Sequence, residues 1–309
     1  MTTIALGPGE EFDAIRTLLD RWGSRAVGVG DDAAVIDITR GDQLVASVDS
    51  AVENRHFRRG WFTPREIGYR AVTAALSDLA AMAARPVGVL IALAVPLDWR
   101  SELLNIADGI GDAVTAADTV IRGGNITAAT ELSITTTVLG GAYRPLARAD
   151  ARAGDFVYVT GTLGGPGATL ARLMAGRPAG EHRERLVRPR ARLREAQWLA
   201  ARGARAAIDI SDGLVADLRH IAAASSVAIT LDAARIPCVA GVGPDDALVS
   251  GEEYELVVAS PTRFDTNVFE HRFSIPLTEI GAASAMRAGD VRVIGARVAG
   301  ASGHDHFST

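Results

Sequence analysis

The chain has 309 residues, of which 48% are hydrophobic and 22% charged, and its net charge is −5. This length favours two domains, and the composition is typical of a globular protein with a sizeable core. The acidic balance argues against general binding to nucleic acids or membrane surfaces. All 32 basic residues are arginine, which excludes a phosphate-loop lysine, a Schiff-base lysine and a lysine general base.

The sole cysteine, Cys238, excludes an intrachain disulfide and a metal site built from several cysteines. It lies in an apolar stretch, which predicts an inert buried thiol and fits a reducing, cytoplasmic setting. The first residues lack a basic segment followed by an apolar run, so no signal peptide is predicted. The longest apolar run, residues 87–97, is too short to span a bilayer and predicts a buried strand.

The first half of the chain alternates predicted helices and strands. Helices are predicted at residues 10–22, 64–84 and 101–117, with Ser101 as a candidate N-cap. Strands are predicted at residues 27–38, 44–48, 87–95, 119–122 and 132–140. A connector containing proline and arginine follows at residues 143–154 and predicts a boundary between domains 1–142 and 143–309.

The second half begins with a predicted strand at residues 156–160, a glycine-rich turn and a helix at residues 168–175. The polar, arginine-rich residues 176–194 then predict a surface excursion. Further strands are predicted at residues 207–210, 228–231 and 256–259, with a helix at residues 215–224. The predicted fold class is α/β or α+β, with mixed sheets in two domains of similar size.

Aspartates in apolar or glycine-rich surroundings are the most informative feature of the sequence. They are Asp31, Asp32, Asp49, Asp78, Asp209 and Asp212. Asp78 lies inside an otherwise apolar helix, where an ionised carboxylate needs a partner. Asp49 follows a strand of apolar or small residues. As alternatives, one of Asp31 and Asp32 shapes a turn beside glycine, and Asp212 is a helix N-cap.

A cluster of these carboxylates, if they converge, requires cations. Each like-charge pair at about 5 Å costs roughly 3 kcal/mol at an effective dielectric near 20. No cysteine or histidine cluster accompanies the aspartates, which disfavours zinc. Magnesium takes one or two carboxylates together with substrate phosphates, so the pattern indicates phosphoryl-transfer chemistry.

The same residues form part of a longer series of motifs that resembles the thiamine-monophosphate kinase family, within the aminoimidazole-ribonucleotide-synthetase-like (PurM-like) ATP-binding superfamily. The resemblance runs from the first helix to the C-terminus. Its motifs are residues 28–35 (GVGDDAAV), 47–49 (SVD), 56–57 (HF), 76–82 (LSDLAAM), 123–125 (GGN), 209–214 (DISDGL), 251–256 (GEEYEL) and 303–307 (GHDHF).

The resemblance implies a two-domain PurM-like fold in a homodimer, with the N-terminal sheet pairing across the dimer. It implies ATP and several Mg²⁺ ions bound in a cleft between subunits. The implied metal ligands are Asp32, Ser47, Val48, Asp49, Asp78, Asn125, Asp209 and Asp212. The implied nucleotide contacts are Gly124, Asn125, Arg148 and Ser211. The implied contacts to thiamine monophosphate are His56, Glu252 and His304.

The expected reaction is direct in-line transfer of the γ-phosphoryl of ATP to thiamine monophosphate. The acceptor is already a phosphate whose oxygen needs no strong base at neutral pH, so no general base is assigned. His56 is expected to orient the acceptor phosphate; alternatively, it pairs with a nearby turn.

This sequence departs from the family pattern at several predicted site positions. Asn125 stands where the family typically has Asp, and it keeps a ligand oxygen but loses the charge. Val48 replaces a hydroxyl residue, and His304 replaces an aromatic residue expected to pack on the thiamine ring. Ser250 and Glu253 replace Gly and Asp. These departures leave two alternatives open: a superfamily enzyme with another small acceptor, or a nucleotide-binding protein without catalysis.

Three weaker signals remain. Residues 161–167 (GTLGGPG) follow a strand and either present N–H groups to a phosphate or form a flexible connection. His304 and His306 have the spacing of a metal pair, a pattern common by chance. Residues 183–194 predict a solvated, arginine-rich helix face; alternatively, they attract an anionic substrate.

Overall fold

The computed structural model of the protein describes residues 10–27 and 36–296. The described residues divide into two compact units. Unit 1 lies within residues 1–79 and 84–144, and unit 2 lies within residues 80–83 and 145–309. Among the described residues, no helix combines the length and apolar character needed to cross a bilayer.

In its described part, unit 1 is built on a four-stranded sheet with helices on one face. In chain order the elements are α1 (Glu10–Trp22), β1 (Gln43–Val52), α2 (Pro64–Ala81), β2 (Arg85–Val95), α3 (Leu103–Ala116), β3 (Ile121–Ala128) and β4 (Ser133–Ala142). The strand order is β1-β4-β2-β3, so β1 and β3 are the two edges. β4 pairs antiparallel with β1 and β2, whereas β2 and β3 are parallel.

Helix α2 shows why this part of the chain is helical. A capping box begins it, since the Thr63 N–H donates to Glu66 Oε2 (2.8 Å) and the Glu66 N–H donates to Thr63 Oγ1 (3.2 Å). Its apolar side chains, such as Leu76 and Leu79, are almost completely buried. One face of the sheet therefore packs in the core, as the burial of alternate residues along β4 also shows.

In its described part, unit 2 contains a six-stranded mixed sheet. Its elements are β5 (Phe156–Thr160), α4 (Gly165–Met174), α5 (Arg183–Val187), α6 (Leu193–Ala200), β6 (Ala206–Asp209), α7 (Leu214–Ala224), β7 (Ala228–Asp232), α8 (Pro244–Ala247), β8 (Leu256–Ser260), α9 (Thr266–Phe273), β9 (Leu277–Ser284) and β10 (Val291–Ile294). The strand order is β10-β7-β9-β5-β8-β6. Apolar residues of β5, β6, β8 and α7 form much of its core.

The predicted fold class is confirmed, and the strand at residues 156–160 has the predicted bounds. Several boundaries were wrong. β1 does not end at Asp49, because its ladder to β4 continues to Val52. Ser101 is not an N-cap, since a 3₁₀ helix (Leu97–Glu102) precedes α3. The last described elements, α9, β9 and β10, were not predicted. Most of the predicted strand 27–38 lies outside the described residues.

Candidate functional site

In unit 1, Ser47 and Asp78 meet. Ser47 lies on β1, and its hydroxyl donates to Asp78 Oδ2 of α2 at 2.5 Å. Asp78 is half-buried on a helix that is otherwise almost fully buried. The prediction that Asp78 needs a partner is therefore confirmed. Asp49 follows Ser47 by two residues and so lies on the same face of β1, where it is exposed.

Val48 points away from this group because successive strand residues face opposite sides of the sheet. Its side chain is 62% exposed on the face without helices. Only the backbone of Val48 lies beside Ser47 and Asp49, so a ligand from Val48 on this face would have to be its carbonyl oxygen.

Gly124 and Asn125 lie on β3, at the sheet edge opposite β1. The strand register puts Asp49, Thr136, Ile91 and Gly124 in one row across the sheet. Three strand spacings separate its ends, which amounts to about 14 Å. A Cβ on Gly124 would lie 1.9 Å from the carbonyl oxygen of Ile91, so close strand packing alone requires glycine here. Within one chain, the sheet does not bring Asn125 to Asp49.

His56 lies just after β1, and its ring contacts the turn. Nδ1 accepts a hydrogen bond from the Val52 N–H at 3.0 Å. The alternative that His56 pairs with a nearby turn is therefore confirmed for this nitrogen. Because Nδ1 is an acceptor, the neutral ring carries its proton on Nε2, which is therefore a hydrogen-bond donor.

In unit 2, Asp209 is the last residue of β6, and Asp212 lies on the turn between β6 and α7. Asp209 is buried and Asp212 half-buried. The N-cap of α7 is Gly213, without a side-chain capping bond, so the alternative that Asp212 caps the helix is wrong. The N–H groups of residues 211, 212 and 213 all donate to Asp217 Oδ2, each at 3.1 Å.

Asp217 is 2% exposed, and sequence reasoning missed it. Burial, with the nearby charge of Asp209, raises the pKa of Asp217 to about 7. A signal was present, since Asp217 is a carboxylate inside an apolar helical segment, as Asp78 is. The same argument that singled out Asp78 would have found it.

Glu252 lies beside the same turn. Its N–H donates to the Ser211 carbonyl at 2.7 Å, and the Tyr254 N–H donates to the Ile210 carbonyl at 2.9 Å. A Cβ on Gly251 would lie 2.6 Å from the Ser211 oxygen, so this approach requires glycine. Unit 2 thus brings together residues predicted to contact the metal, the nucleotide and the acceptor.

The backbone of Arg148 lies away from that group. Its carbonyl accepts the Ser225 hydroxyl at 2.6 Å, at the C-terminal end of α7. The turn with Ser211 lies at the other end of this helix of 11 residues, about 16 Å away by helical rise. Asp32 and His304 lie outside the described residues.

Four N–H groups of the glycine-rich segment 161–167 donate to acceptors of the protein itself. The Gly161 N–H donates to the Pro276 carbonyl and the Leu163 N–H to the Pro237 carbonyl. The Gly164 N–H donates to Glu253 Oε1 at 2.6 Å, and that of Gly167 to Ser250 Oγ at 3.0 Å.

Two of the departures from the family pattern are in direct contact. The Ser250 hydroxyl donates to Glu253 Oε1 at 2.5 Å, so these residues hold the glycine-rich turn as a pair. Burial raises the pKa of Glu253 to about 7. Its Oε2 is buried and has no hydrogen-bond partner in the part of the chain that the structure describes.

The arginine-rich segment 183–194 is not simply a solvated face. The Arg192 side chain is buried, and its guanidinium donates to both oxygens of Glu255. Arg185 is half-buried and donates to the hydroxyl and the carbonyl of Thr162, in the glycine-rich turn. These arginines position unit 2 backbone and side chains.

Comparison with known proteins identifies the family. Residues 30–142 match the N-terminal domain, and residues 152–291 the C-terminal domain, of AIR synthase related proteins. The chain is 33% identical to the thiamine-monophosphate kinase of Escherichia coli K12, over 97% of this chain and 98% of that protein. The chain belongs to the thiamine-monophosphate kinase family. The predicted resemblance is thereby confirmed.

Solved structures agree with this assignment. The structure of thiamine-monophosphate kinase from Stenotrophomonas maltophilia K279a is 32% identical, with a TM-score of 0.80, over 94% of this chain and 97% of that chain. The structure of AaThiL complexed with AMPPCP and TMP is 28% identical, with a TM-score of 0.76, over 99% of this chain and 100% of that chain.

The oxygen donors of this family member fit a hard divalent cation. Unit 1 offers the carboxylates of Asp49 and Asp78 with the Ser47 hydroxyl, and unit 2 offers Asp209 and Asp212. Within residues 10–27 and 36–296, no group of three or more His, Cys, Asp and Glu side chains forms by itself a metal site. Two carboxylates per unit suit Mg²⁺, which takes its other ligands from water and phosphates.

Proposed function

We propose that this chain transfers the γ-phosphoryl of ATP to thiamine monophosphate, producing thiamine diphosphate and ADP. The observation that supports it most is the contact between Glu252 and Ser211. It joins the predicted acceptor and nucleotide contacts through one backbone hydrogen bond, beside Asp209 and Asp212. Relatives named thiamine-monophosphate kinase match along nearly the whole chain, and AaThiL was solved complexed with AMPPCP and TMP.

In the proposed reaction, an oxygen of the acceptor phosphate forms a bond to the γ-phosphorus, and the bond from that phosphorus to the β,γ-bridging oxygen breaks. Glu252 and His56 would position the acceptor, and Ser211 the nucleotide. The acceptor oxygen is already ionised at neutral pH, so these residues orient groups and remove no proton. Mg²⁺ ions, held by Ser47, Asp49 and Asp78 in unit 1 and by Asp209 and Asp212 in unit 2, would neutralise phosphate charge.

We also propose a homodimer formed through unit 1. The face of its sheet without helices exposes apolar side chains, with Leu44 57% and Val48 62% exposed on β1. Among the described strands, β1 is an edge of this sheet, and an edge strand can pair with a further strand. Domain 1–142 would then supply dimer contacts and metal ligands, and domain 143–309 the remaining ligands. Light scattering during size-exclusion chromatography tests this, since a monomeric mass contradicts it.

The activity is tested by incubating purified protein with ATP, Mg²⁺ and thiamine monophosphate and separating the thiamine products by chromatography. We expect thiamine diphosphate and ADP in equal amounts, and no product when EDTA is added. Thiamine, pyridoxal phosphate and aminoimidazole ribonucleotide serve as comparison acceptors. Tight ATP binding without turnover would favour the nucleotide-binding alternative, and turnover only with another acceptor would favour the other enzyme.

Asp49→Asn tests the unit 1 ligands. The substitution keeps an oxygen but removes the charge, so transfer should fall by about a thousandfold or more, since metal stabilisation of the transition state amounts to several kcal/mol. The fold should survive because Asp49 is exposed. Rates at limiting Mg²⁺ that match the unmodified protein would show that Asp49 is not a ligand.

A further inference from the structure

We propose that Asp217 is a positioning residue that holds the turn 211–213 and thereby sets the placement of Ser211 and Asp212. This rests on the proposed function for the roles of those residues. Asp217 itself contacts neither substrate nor metal in the proposal. It acts through the backbone of the residues that do.

The geometry of the turn supports this role. One oxygen, Asp217 Oδ2, accepts the N–H groups of three consecutive residues at 3.1 Å each. Consecutive N–H groups that converge on one acceptor fix the direction of every peptide plane between them, because each hydrogen bond is directional. The side chains of Ser211 and Asp212 are attached to those planes. Moving the acceptor would therefore move both side chains.

The position of Asp217 in α7 explains how it reaches the turn. It lies in the first turn of the helix, and its own N–H donates to the Gly213 carbonyl at 3.0 Å. Helix side chains point toward the N-terminus, so a carboxylate here is directed back at the N–H groups that precede the helix. These N–H groups precede the helix and so lack partners within it. The N-cap residue, Gly213, makes no side-chain capping bond that could satisfy them.

Burial makes this arrangement necessary. Asp217 is 2% exposed, and its bond to the Gly213 N–H is buried, so water cannot readily replace the carboxylate at that donor. Removing the carboxylate leaves three N–H donors to find new partners, which requires the turn to change shape. Asp217→Asn keeps a carbonyl oxygen of the same reach but loses the charge-assisted strength of the bonds. Asp217→Asn should therefore retain part of the Mg²⁺-dependent ATP binding that Asp217→Ala loses.

Asp155→Ala is a matched control in the same unit. Asp155 is also a buried aspartate, at 1% exposure, and its carboxylate accepts the Arg152 N–H and an Arg205 guanidinium N–H, each at 2.8 Å. It precedes β5 and holds no predicted site residue. Removing the Asp155 carboxylate should lower the stability of unit 2, because buried hydrogen bonds are lost, but it should not alter the turn at 211–213.

The experiment measures binding of ATP by calorimetry across a series of Mg²⁺ concentrations, together with kcat and KM for transfer and the melting temperature. For Asp217→Ala, we expect the Mg²⁺ concentration at half-maximal ATP binding to rise by at least about tenfold, since the loss of buried hydrogen bonds costs 1.4 kcal/mol or more. Asp217→Asn should lie between it and the unmodified protein, and Asp155→Ala should stay within about threefold.

The proposal would be overturned if Asp217→Ala and Asp155→Ala both lost stability and required the same Mg²⁺ concentration for half-maximal ATP binding. Asp217 would then have only a structural role. If Asp217→Ala does not fold, Asp217→Asn decides: an unchanged Mg²⁺ dependence overturns the proposal and a raised requirement supports it. Binding of ATP and Mg²⁺ is measured separately from product formation. A protein that binds ATP and Mg²⁺ but forms no thiamine diphosphate would contradict the proposed function. Its ATP binding would still show whether Asp217 positions the turn 211–213.

Discussion

Two strand-to-helix turns of unit 2 invite comparison: residues 161–164 between β5 and α4, and residues 210–213 between β6 and α7. The first is rich in glycine, and its sequence suggests N–H groups free for phosphate. The second contains two aspartates. In the structure, buried carboxylates of the protein serve both turns: Glu253 accepts from Gly164, and Asp217 accepts from residues 211 to 213.

The two turns differ in which of their polar groups can still bind a ligand after these hydrogen bonds form. The described contacts of the glycine-rich turn go to the protein, including Pro276, Pro237, Glu253 and Arg185. The second turn uses its N–H groups internally but carries the carboxylate of Asp212 on a half-buried residue. A glycine-rich sequence therefore does not predict an anion site, because the free N–H groups depend on which acceptors pack nearby.

The largest effect should come from Asp212→Asn, which tests the second turn. Removing the ligand charge should lower kcat/KM by about a thousandfold or more. The melting temperature should change little because Asp212 does not cap α7. Asp245→Asn, at an exposed position of α8, is the control and should keep full activity. If the two variants form thiamine diphosphate at comparable rates, Asp212 is not a metal ligand.

Gly251→Ala tests the approach of Glu252 to the second turn. The added Cβ would lie 2.6 Å from the Ser211 oxygen, so the two segments must separate. We expect the KM for the acceptor to rise about tenfold and unfolding to become easier by about 1–3 kcal/mol. At Gly243, an added Cβ meets no atom within 4 Å, so Gly243→Ala should leave KM unchanged. An unaltered acceptor KM in Gly251→Ala would argue against Glu252 as an acceptor contact.

Glu253→Gln tests the acceptor of the first turn through pH. Burial raises the pKa of Glu253 to about 7 despite the opposing effect of Arg185, so folding favours its neutral form. The stability associated with this proton is present below the unfolded pKa and is lost as pH rises through about 7. Gln stays neutral. The variant should therefore gain stability relative to the native protein between about pH 5 and pH 8, by an amount on the order of 3 kcal/mol.

Urea unfolding at pH 5.5 and pH 8.5, about 1.5 units on either side of that pKa, should show a change of roughly 2 kcal/mol in the stability gained by the variant, because part of the stability is already lost between the ordinary pKa of 4.5 and pH 5.5. Glu181→Gln, whose side chain is 76% exposed, is the control and should show no such dependence. A stability difference between Glu253→Gln and the native protein that stays constant with pH would mean that Glu253 is ionised throughout.

The smallest effect should come from Ser250→Ala. It removes a hydroxyl that accepts the Gly167 N–H and donates to Glu253. We expect a loss of about 1 kcal/mol of stability and an unchanged KM for ATP, since the glycine-rich turn is structural. A tenfold higher KM for ATP at unchanged stability would instead show that this turn contacts the nucleotide.

Much of the fold could be predicted because local patterns decide it. β5 and α7 have strong apolar periodicity, and their positions were predicted within a residue or two. α9 and β10 were missed because their apolar signals are weak. Asp78 was recognised as needing a partner, but that partner, Ser47, could not be named since it is 31 residues away. Asp49 and Asn125 were both expected to be metal ligands, and only the sheet register shows that they lie on opposite edges.

The sequence by itself determined the family, the alternation of helices and strands, and an oxygen-only set of candidate metal ligands. Those features depend on residue identity and on spacing along the chain. Only the tertiary structure decided which acceptor meets which donor. Glu253 accepts the N–H of Gly164, which is 89 residues away, and Asp217 accepts the N–H of Asp212. The physical reason is that a buried N–H must be paired, and its partner is set by strand pairing and helix direction.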